Sequence, residues 1–406
     1  MVEETHPKTV KLPQFTKLQK QNPHLDKTKP YPLDGTLVID FTHVLSGPTC
    51  TRMLADAGAR VIHIERPTGD DTRHMGPYLK DGSSEYFRIC NAGKESITLD
   101  LKNDKDHQLV EKMIAKADVV VENFRPGVMA RLGLGPEEMT KKHPRLIYAS
   151  ISGFGQYGPM KQDAAYDTVV QALSGIMDAT GQPAPKGRPT RVGTSVSDVV
   201  AGIMGYSAIM TALYAREKTG KGTTVDISML DSTLSLMVQD LMTVLGPNFV
   251  PERIGNRHPY MYPFDTFMCK DDMIAICCGN NHLWELLCNA LGKPEWINEP
   301  KFNTNNKREA NWEAVKADME AVLKQDTADN WVQKLDAAGI PVDNVKNVSD
   351  TIKMPQVIDR GMIKTLADGN SVLGTPLKYG TWNSYGAQKD SPKLNENGDA
   401  IRKEFK

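Results

Sequence analysis

The residues of this chain best placed to do chemistry lie in RVGTSVSD, Arg191–Asp198. One carboxylate, Asp198, follows the small residues Gly193, Thr194, Ser195 and Ser197 and precedes VVAGIMGYSAIMTALYAREKTG. That stretch is apolar nearly all round, which describes a buried helix packed closely through its glycines and alanines. Arg216, Lys218 and Lys221 suit its C-terminal dipole, and Gly220 closes it. Two readings of Asp198 stand. It is the N-cap of the helix. Or it is a reactive carboxylate at the mouth of that helix, with small neighbours leaving room for a substrate.

Other chemistries find little footing. The nine histidines include no His-x-x-x-His pair, and the six cysteines form no Cys-x-x-Cys, so no metal site is expected. Cys277 and Cys278 sit in the apolar run MIAICC and read as buried strand. Gly153, Gly155 and Gly158 have the Gly-x-Gly-x-x-Gly spacing but follow the fifth strand and run into Pro159, which makes a connection at least as good a reading as a dinucleotide loop. There is no Gly-Lys-Ser/Thr phosphate loop. A net charge of −1 leaves no electrostatic footprint for nucleic acid. The apolar run Val199–Tyr214 falls short of the ~18 residues of a membrane span. The N-terminal MVEETHPKTVKLPQF has no apolar core of a secretory signal. A cytoplasmic protein without metal is expected.

The elements that must position Asp198 alternate along the chain. Apolar strands are read at Thr36–Thr42, Arg60–Arg66, Ile97–Leu101, Ala117–Phe124, Arg145–Ser152 and Thr223–Leu230, with helices between them. This rhythm means βαβ units and an open parallel sheet, in which ligands bind at the C-terminal strand ends. After Gly246 the texture changes to a hairpin and amphipathic helices. The expected organisation is an N-terminal arm over 1–33, a large Rossmann-like domain over 34–226, a small α+β domain over 227–340, and a return to the large domain over 341–406.

Several blocks together resemble the family III CoA-transferases, typified by formyl-CoA:oxalate and crotonobetainyl-CoA:carnitine CoA-transferases. They are DFTHVLSGPTCTRML (Asp40–Leu54), ARVIHIERPTGDDTR (Ala59–Arg73), ADVVVENFRPG (Ala117–Gly127), ISGFGQYGP (Ile151–Pro159), AYDTVVQALSG (Ala165–Gly175), SVSDVVAG (Ser195–Gly202) and GNRHP (Gly255–Pro259), in family order. The resemblance covers nearly the whole chain after the arm. It implies a Rossmann-like large domain, a small domain from the middle of the chain, and an interlocked dimer, as a homodimer or a heteromer. It implies no permanent cofactor, with a coenzyme A thioester as substrate.

Asp198 falls where the family carries its nucleophile, and a helix N-terminus would keep it ionised for that role. The family's CoA contacts fall on His43, Val44, Leu45, Ser46, Arg66, Leu99, Lys102, Asn123, Phe124, Arg125, Arg131 and Tyr166, the cations suiting phosphates. The implied mechanism runs through an aspartyl-acyl anhydride and an aspartyl-CoA thioester, with the acid products exchanged between them. Leu45 replaces the glutamine typical of formyl-CoA transferases, and the consecutive glycines of oxalate-specific members are missing. Both departures point to a less polar or larger acid, with succinyl-CoA as donor and Arg257 or His258 as a carboxylate contact or simply part of a turn. Two alternatives remain: a 2-methylacyl-CoA racemase-like isomerase, against which Tyr166 stands where the racemase has its histidine, and a non-catalytic CoA-binding subunit.

Overall fold

Short runs of β-branched residues form the strands of a six-stranded sheet: β1 (Leu37–Asp40), β2 (Arg60–Glu65), β3 (Glu95–Thr98), β4 (Val119–Glu122), β5 (Ile147–Ser152) and β6 (Thr224–Ser228). All pairs are parallel, in the order β3-β2-β1-β4-β5-β6. This is the doubly wound Rossmann order, with its switch point between β1 and β4. The computed structural model describes residues 12–19, 22, 25–386 and 388–406.

The connecting helices are α1 (Phe15–Leu18), α2 (Ser46–Asp56), α3 (Glu85–Asn91), α4 (Asp104–Lys116), α5 (Val128–Arg131), α6 (Pro136–Lys142), α7 (Asp167–Ser174), α8 (Ile176–Ala179), α9 (Val196–Thr219) and α10 (Met229–Leu236). Strand side chains alternate between two cores. Val38, Val61, Val119 and Ile147 pack with residues of α2 and α9, whereas Ile39, Ile62, Val120 and Tyr148 pack with residues of α4 and α6. The α2–α9 contact is close because Gly202 faces α2: a Cβ there would lie 2.6 Å from the Ser46 carbonyl oxygen.

By length and composition α9 does suffice to cross a membrane, with 24 residues and a mean hydropathy of 1.5, which corrects the expectation that no stretch does. The charged residues cluster at its end, so the apolar window is longer than the Val199–Tyr214 run. In the fold it packs against α2, α7, α10, β5 and β6.

Two compact units divide the chain. One takes the residues up to Ile176, Val192–Leu241 and Ile352 onward; the other takes Met177–Arg191 and Met242–Thr351. These limits differ from the expected ones for reasons of strand pairing. Residue 227 lies inside β6, where Ile227 pairs with Ile151 of the large sheet. Residues 342–344 form a strand paired with Met273–Cys277 in the three-stranded sheet of the second unit. That unit has its own core around Trp284, Phe302, Met319 and Leu335.

Of the expected arm, residues 1–11, 20, 21, 23 and 24 lie outside the described residues. The rest of it is anchored: Phe15 is fully buried, its N–H donates to Thr365 Oγ1 at 3.1 Å, and Gln19 Nε2 donates to the Ile363 carbonyl at 2.7 Å. Both partners belong to a hairpin, Ile363–Thr365 with Ser371–Leu373.

Candidate active site

The switch point is stitched together by one side chain. Asn123, just past β4, accepts from the His43 N–H at 2.9 Å and donates Nδ2 to the His43 carbonyl at 2.8 Å and to Ser46 Oγ at 3.3 Å. The turn it holds is strained, since Val44 has φ 65, a left-handed conformation that β-branched residues avoid. Asp70 accepts the Val44 N–H at 3.3 Å. Beneath the turn, Asp40 accepts from the Thr42 N–H at 2.9 Å and from Thr51 Oγ1 at 2.8 Å. The turn therefore presents Ser46 at the start of α2 in a set position.

Asp198 is the third residue of α9 and not its cap; Ser195 is the N-cap, without a side-chain hydrogen bond. The first turn of α9 is instead satisfied from α7. Asp167 Oδ1 accepts the Ser197 N–H at 2.9 Å. Gln171 Nε2 donates to Asp167 Oδ2 at 2.7 Å, and Gln171 Oε1 accepts the Val192 N–H at 2.8 Å. Asp198 is half-buried. Its burial and the neighbouring Asp167 charge push its carboxyl up to about 7, against a hydrogen bond from Ser46 that pulls it down. This corrects the expectation of a carboxylate kept ionised by the helix: near neutrality, burial and a like charge outweigh the dipole.

Asp198 lines a cavity of about 320 Å³ together with His43, Val44, Ser46, Asn123, Phe124, Arg125 and Tyr166. His43 and Phe124 also wall a neighbouring cavity of about 180 Å³ that contains Arg66. Their rings lie 5.1 Å apart, between the two spaces. Burial pushes the His43 imidazole down, towards its neutral form.

The other expected residues sit differently. Arg66 pairs with Asp71 and donates Nε to the Gly69 carbonyl at 2.9 Å. Leu99 is 2 % exposed and packed in the core, so its side chain lines neither cavity. Leu45 is the N-cap of α2 and Arg131 ends α5; neither of them, nor the exposed Lys102, lines either cavity. In the second unit, Arg257 lies 5.0 Å from the Trp312 ring and His258 stacks on Phe264 at 5.1 Å.

Two residues whose electrostatics are linked to Asp198 escaped the sequence reading. Asp167 drew no notice because an acid opening a helix is an ordinary dipole partner. Tyr86 belongs to α3, a helix in a stretch to which the sequence reading assigns no element. Burial pushes its phenol up to about 12, and Cys90 and the charges of Asp198, Asp70 and Asp167 add to this. A helical signal was present: Ser84 caps Phe87 N–H at 3.2 Å ahead of the short segment EYFRICN.

Residues 33–398 match the family described as CoA-transferase family III. The chain is 50% identical over 376 residues to the acetyl-CoA:oxalate CoA-transferase of Acetobacter aceti, covering 92% of this chain and 96% of that one. It is 34% identical over 387 residues to the succinyl-CoA:glutarate CoA-transferase of Mus musculus, covering 94% and 88%. The crystal structure of a CAIB/BAIF family protein from Brucella suis superposes with a TM-score of 0.84 at 37% identity, covering 93% of this chain and all of that one. Such enzymes take CoA thioesters and carboxylic acids as substrates without a permanent cofactor. This chain belongs to the family III CoA-transferases.

Proposed function

We propose that the enzyme moves CoA from an acyl-CoA to a small dicarboxylic acid through Asp198, with acetyl-CoA and oxalate as the first pair to examine. The observation that carries the reading is that Asp198 shares one cavity with the β1 and β4 tips at the switch point of the sheet. The Asp198 carboxylate attacks the donor thioester, forming an anhydride and releasing CoA thiolate. The thiolate attacks the aspartyl carbonyl, frees the donor acid as a carboxylate, and leaves an aspartyl-CoA thioester. The acceptor acid reverses the sequence. Each step exchanges activated acyl groups, so the protein's task is to hold CoA and exclude water.

Arg125 and Lys161 on the cavity wall suit phosphate or carboxylate. His43, Val44, Ser46, Phe124 and Tyr166 are proposed to border the CoA, and Asn123 to hold the turn that they form. Leu45 and the missing glycines argued against oxalate, but the relative that is 50% identical is named for it. Succinyl-CoA with glutarate is the second pair, on the relative that is 34% identical. We also propose a dimer: Ile203 and Tyr214 of α9 and Leu173 of α7 present an exposed apolar face for a second copy. A solution mass of twice 44.9 kDa is expected, and a monomer at working concentration would remove this part of the proposal.

The test is mass spectrometry after incubation with acetyl-CoA or succinyl-CoA, followed by hydroxylamine. A CoA adduct on the Asp198 peptide, converted to a hydroxamate and missing in Asp198→Ala, is expected. Oxalate should discharge it faster than glutarate. No adduct with either donor, together with exchange of the acyl α-proton in deuterated water, would replace the transferase mechanism by an isomerase one.

A further inference from the structure

Asp167 takes no part in the steps above, yet it is the acid that stands against the nucleophile. It is 6 % exposed at the start of α7. Its two oxygens accept from the Ser197 N–H at 2.9 Å and from Gln171 Nε2 at 2.7 Å. Gln171 also holds the approach to α9 by accepting the Val192 N–H and donating to the Thr194 carbonyl. A serine or asparagine oxygen would satisfy the same N–H. What only an acid adds is a negative charge beside a half-buried carboxylate, and that is unfavourable. The groups that face Asp198 do not neutralise it: Ser46 donates from α2, Asp167 repels from α7, and Tyr86 and Cys90 of α3 are neutral neighbours that feel its charge.

We propose that Asp167 is a positioning residue with a second effect: it fixes the first turn of α9 through Ser197, and its charge drives Asp198 into covalent linkage. The inference rests on Asp198 being the nucleophile. When Asp198 becomes an ester-level species, its negative charge departs, first on the CoA thiolate as the C–S bond breaks, then on the released carboxylate as the anhydride is opened. The Asp198 left behind is neutral, and the repulsion from Asp167 is gone. The same charge favours the protonated acid over the free carboxylate, so both readouts move together.

The experiment follows the Asp198-CoA adduct by mass spectrometry between about pH 5 and pH 9, in wild type, Asp167→Asn, Asp167→Ser and Asp167→Glu, with folding checked by thermal melting. Asp167→Ser serves where the asparagine variant does not fold. The neutral variants should form adduct with an acid limb about one pH unit lower. At high pH their equilibrium ratio of adduct to free enzyme should fall about tenfold, the same free energy read a second way. Asp167→Glu should stay near wild type. An acid limb and an adduct ratio unchanged in a folded neutral variant would overturn the proposal and leave Asp167 a structural clamp. An adduct that persists in Asp198→Ala, or never forms in wild type, would instead overturn the nucleophile assignment.

Discussion

Asp40, at the C-terminal end of β1, and Asp198, in the first turn of α9, are the same residue type, and their surroundings treat them in opposite ways. Asp40 is fully buried, with Lys94 Nζ 2.9 Å and His63 Nδ1 3.3 Å from its Oδ2. Lys94 spends its three protons on Asp40, Thr51 and Asn91. Burial pushes the Asp40 carboxyl up, but Lys94 and His63 outweigh this and hold it well below the usual carboxylate range. Asp198 is less buried but is pushed up, because its burial goes uncompensated: its charged neighbour is Asp167, which adds to the shift, rather than a lysine. Burial alone therefore does not make a reactive acid. The sign of the partner decides between a carboxylate that braces a loop and one that is ready to react.

The largest expected effect comes from removing the brace. Lys94→Met leaves Asp40 buried without its ammonium partner, with only His63, Thr42 and Thr51 to face it, and should cost about 3 kcal/mol of stability by urea unfolding at neutral pH. Asp40 is depressed in the folded state, so its contribution is present above its unfolded value and lost as pH falls through and below about 4. The gap between variant and wild type should therefore narrow in acid. A gap of under about 1 kcal/mol at pH 7 would mean that the pair does not hold the turn.

Gly202→Ala comes next, and links the two regions. Its new Cβ would lie 2.6 Å from the Ser46 carbonyl oxygen and 2.6 Å from Thr49 Cβ, both in α2. Overpacking of this kind costs about 1–3 kcal/mol. It should also slow adduct formation, because α2 carries Ser46 away from Asp198. Loss of stability with an unchanged adduct rate would separate packing from catalysis.

At Asp198 the sign reverses. Its folded carboxyl holds a proton more tightly than the unfolded one does, so the cost of ionising it in place grows as pH rises from about 4 to about 7 and is complete above that. Asp198→Asn removes this cost. Each tenfold in proton affinity is worth about 1.4 kcal/mol, and with solvent in the cavity screening the charge we expect about 2 kcal/mol of added stability at pH 8, and none near pH 4. A variant that melts below wild type at pH 8 would contradict a strained carboxylate.

Much of this was legible in the sequence because parallel strands are buried on both faces and read as apolar runs. Five of the six strands were read within two residues of their ends, and α9 and its closing Gly220 followed from pattern alone. β3 was placed two residues late because Glu95 and Ser96 are polar, although Ser96 is buried by bonding to Glu65. α3 was missed because EYFRICN is too short to show a helical period. The C-terminal helix Gly398–Glu404 has no helical signal in the sequence, since it buries only Gly398 and Ile401 and so shows no apolar period. The motif singles out Asp198, but not the burial and like charge around it. The acid that adds to its burial comes from α7, 31 residues earlier in the chain, and a neighbour of that kind leaves no local pattern.

The smallest effect sharpens the comparison most. Ser46→Ala removes the one hydrogen bond that favours ionised Asp198, while Asn123 keeps its bond to the His43 carbonyl, so the turn should survive. Losing a hydroxyl donor to a charged acceptor is worth about 1.5 kcal/mol at the low end of the range, for a half-buried group, or roughly tenfold. The carboxyl should then be harder to ionise, and the acid limb of adduct formation should move to higher pH, so that the variant is slowest below pH 7 and approaches wild type in alkali. Asp167→Asn acts on the same carboxyl with the opposite sign, and in the double variant the limb should return close to its wild-type position. Two neighbours that shift one titration in opposite directions, and cancel when both are removed, would establish that the state of Asp198 is set by its partners in the fold. A limb that moves the same way in both single variants would show that it is set by the packing of α9 alone.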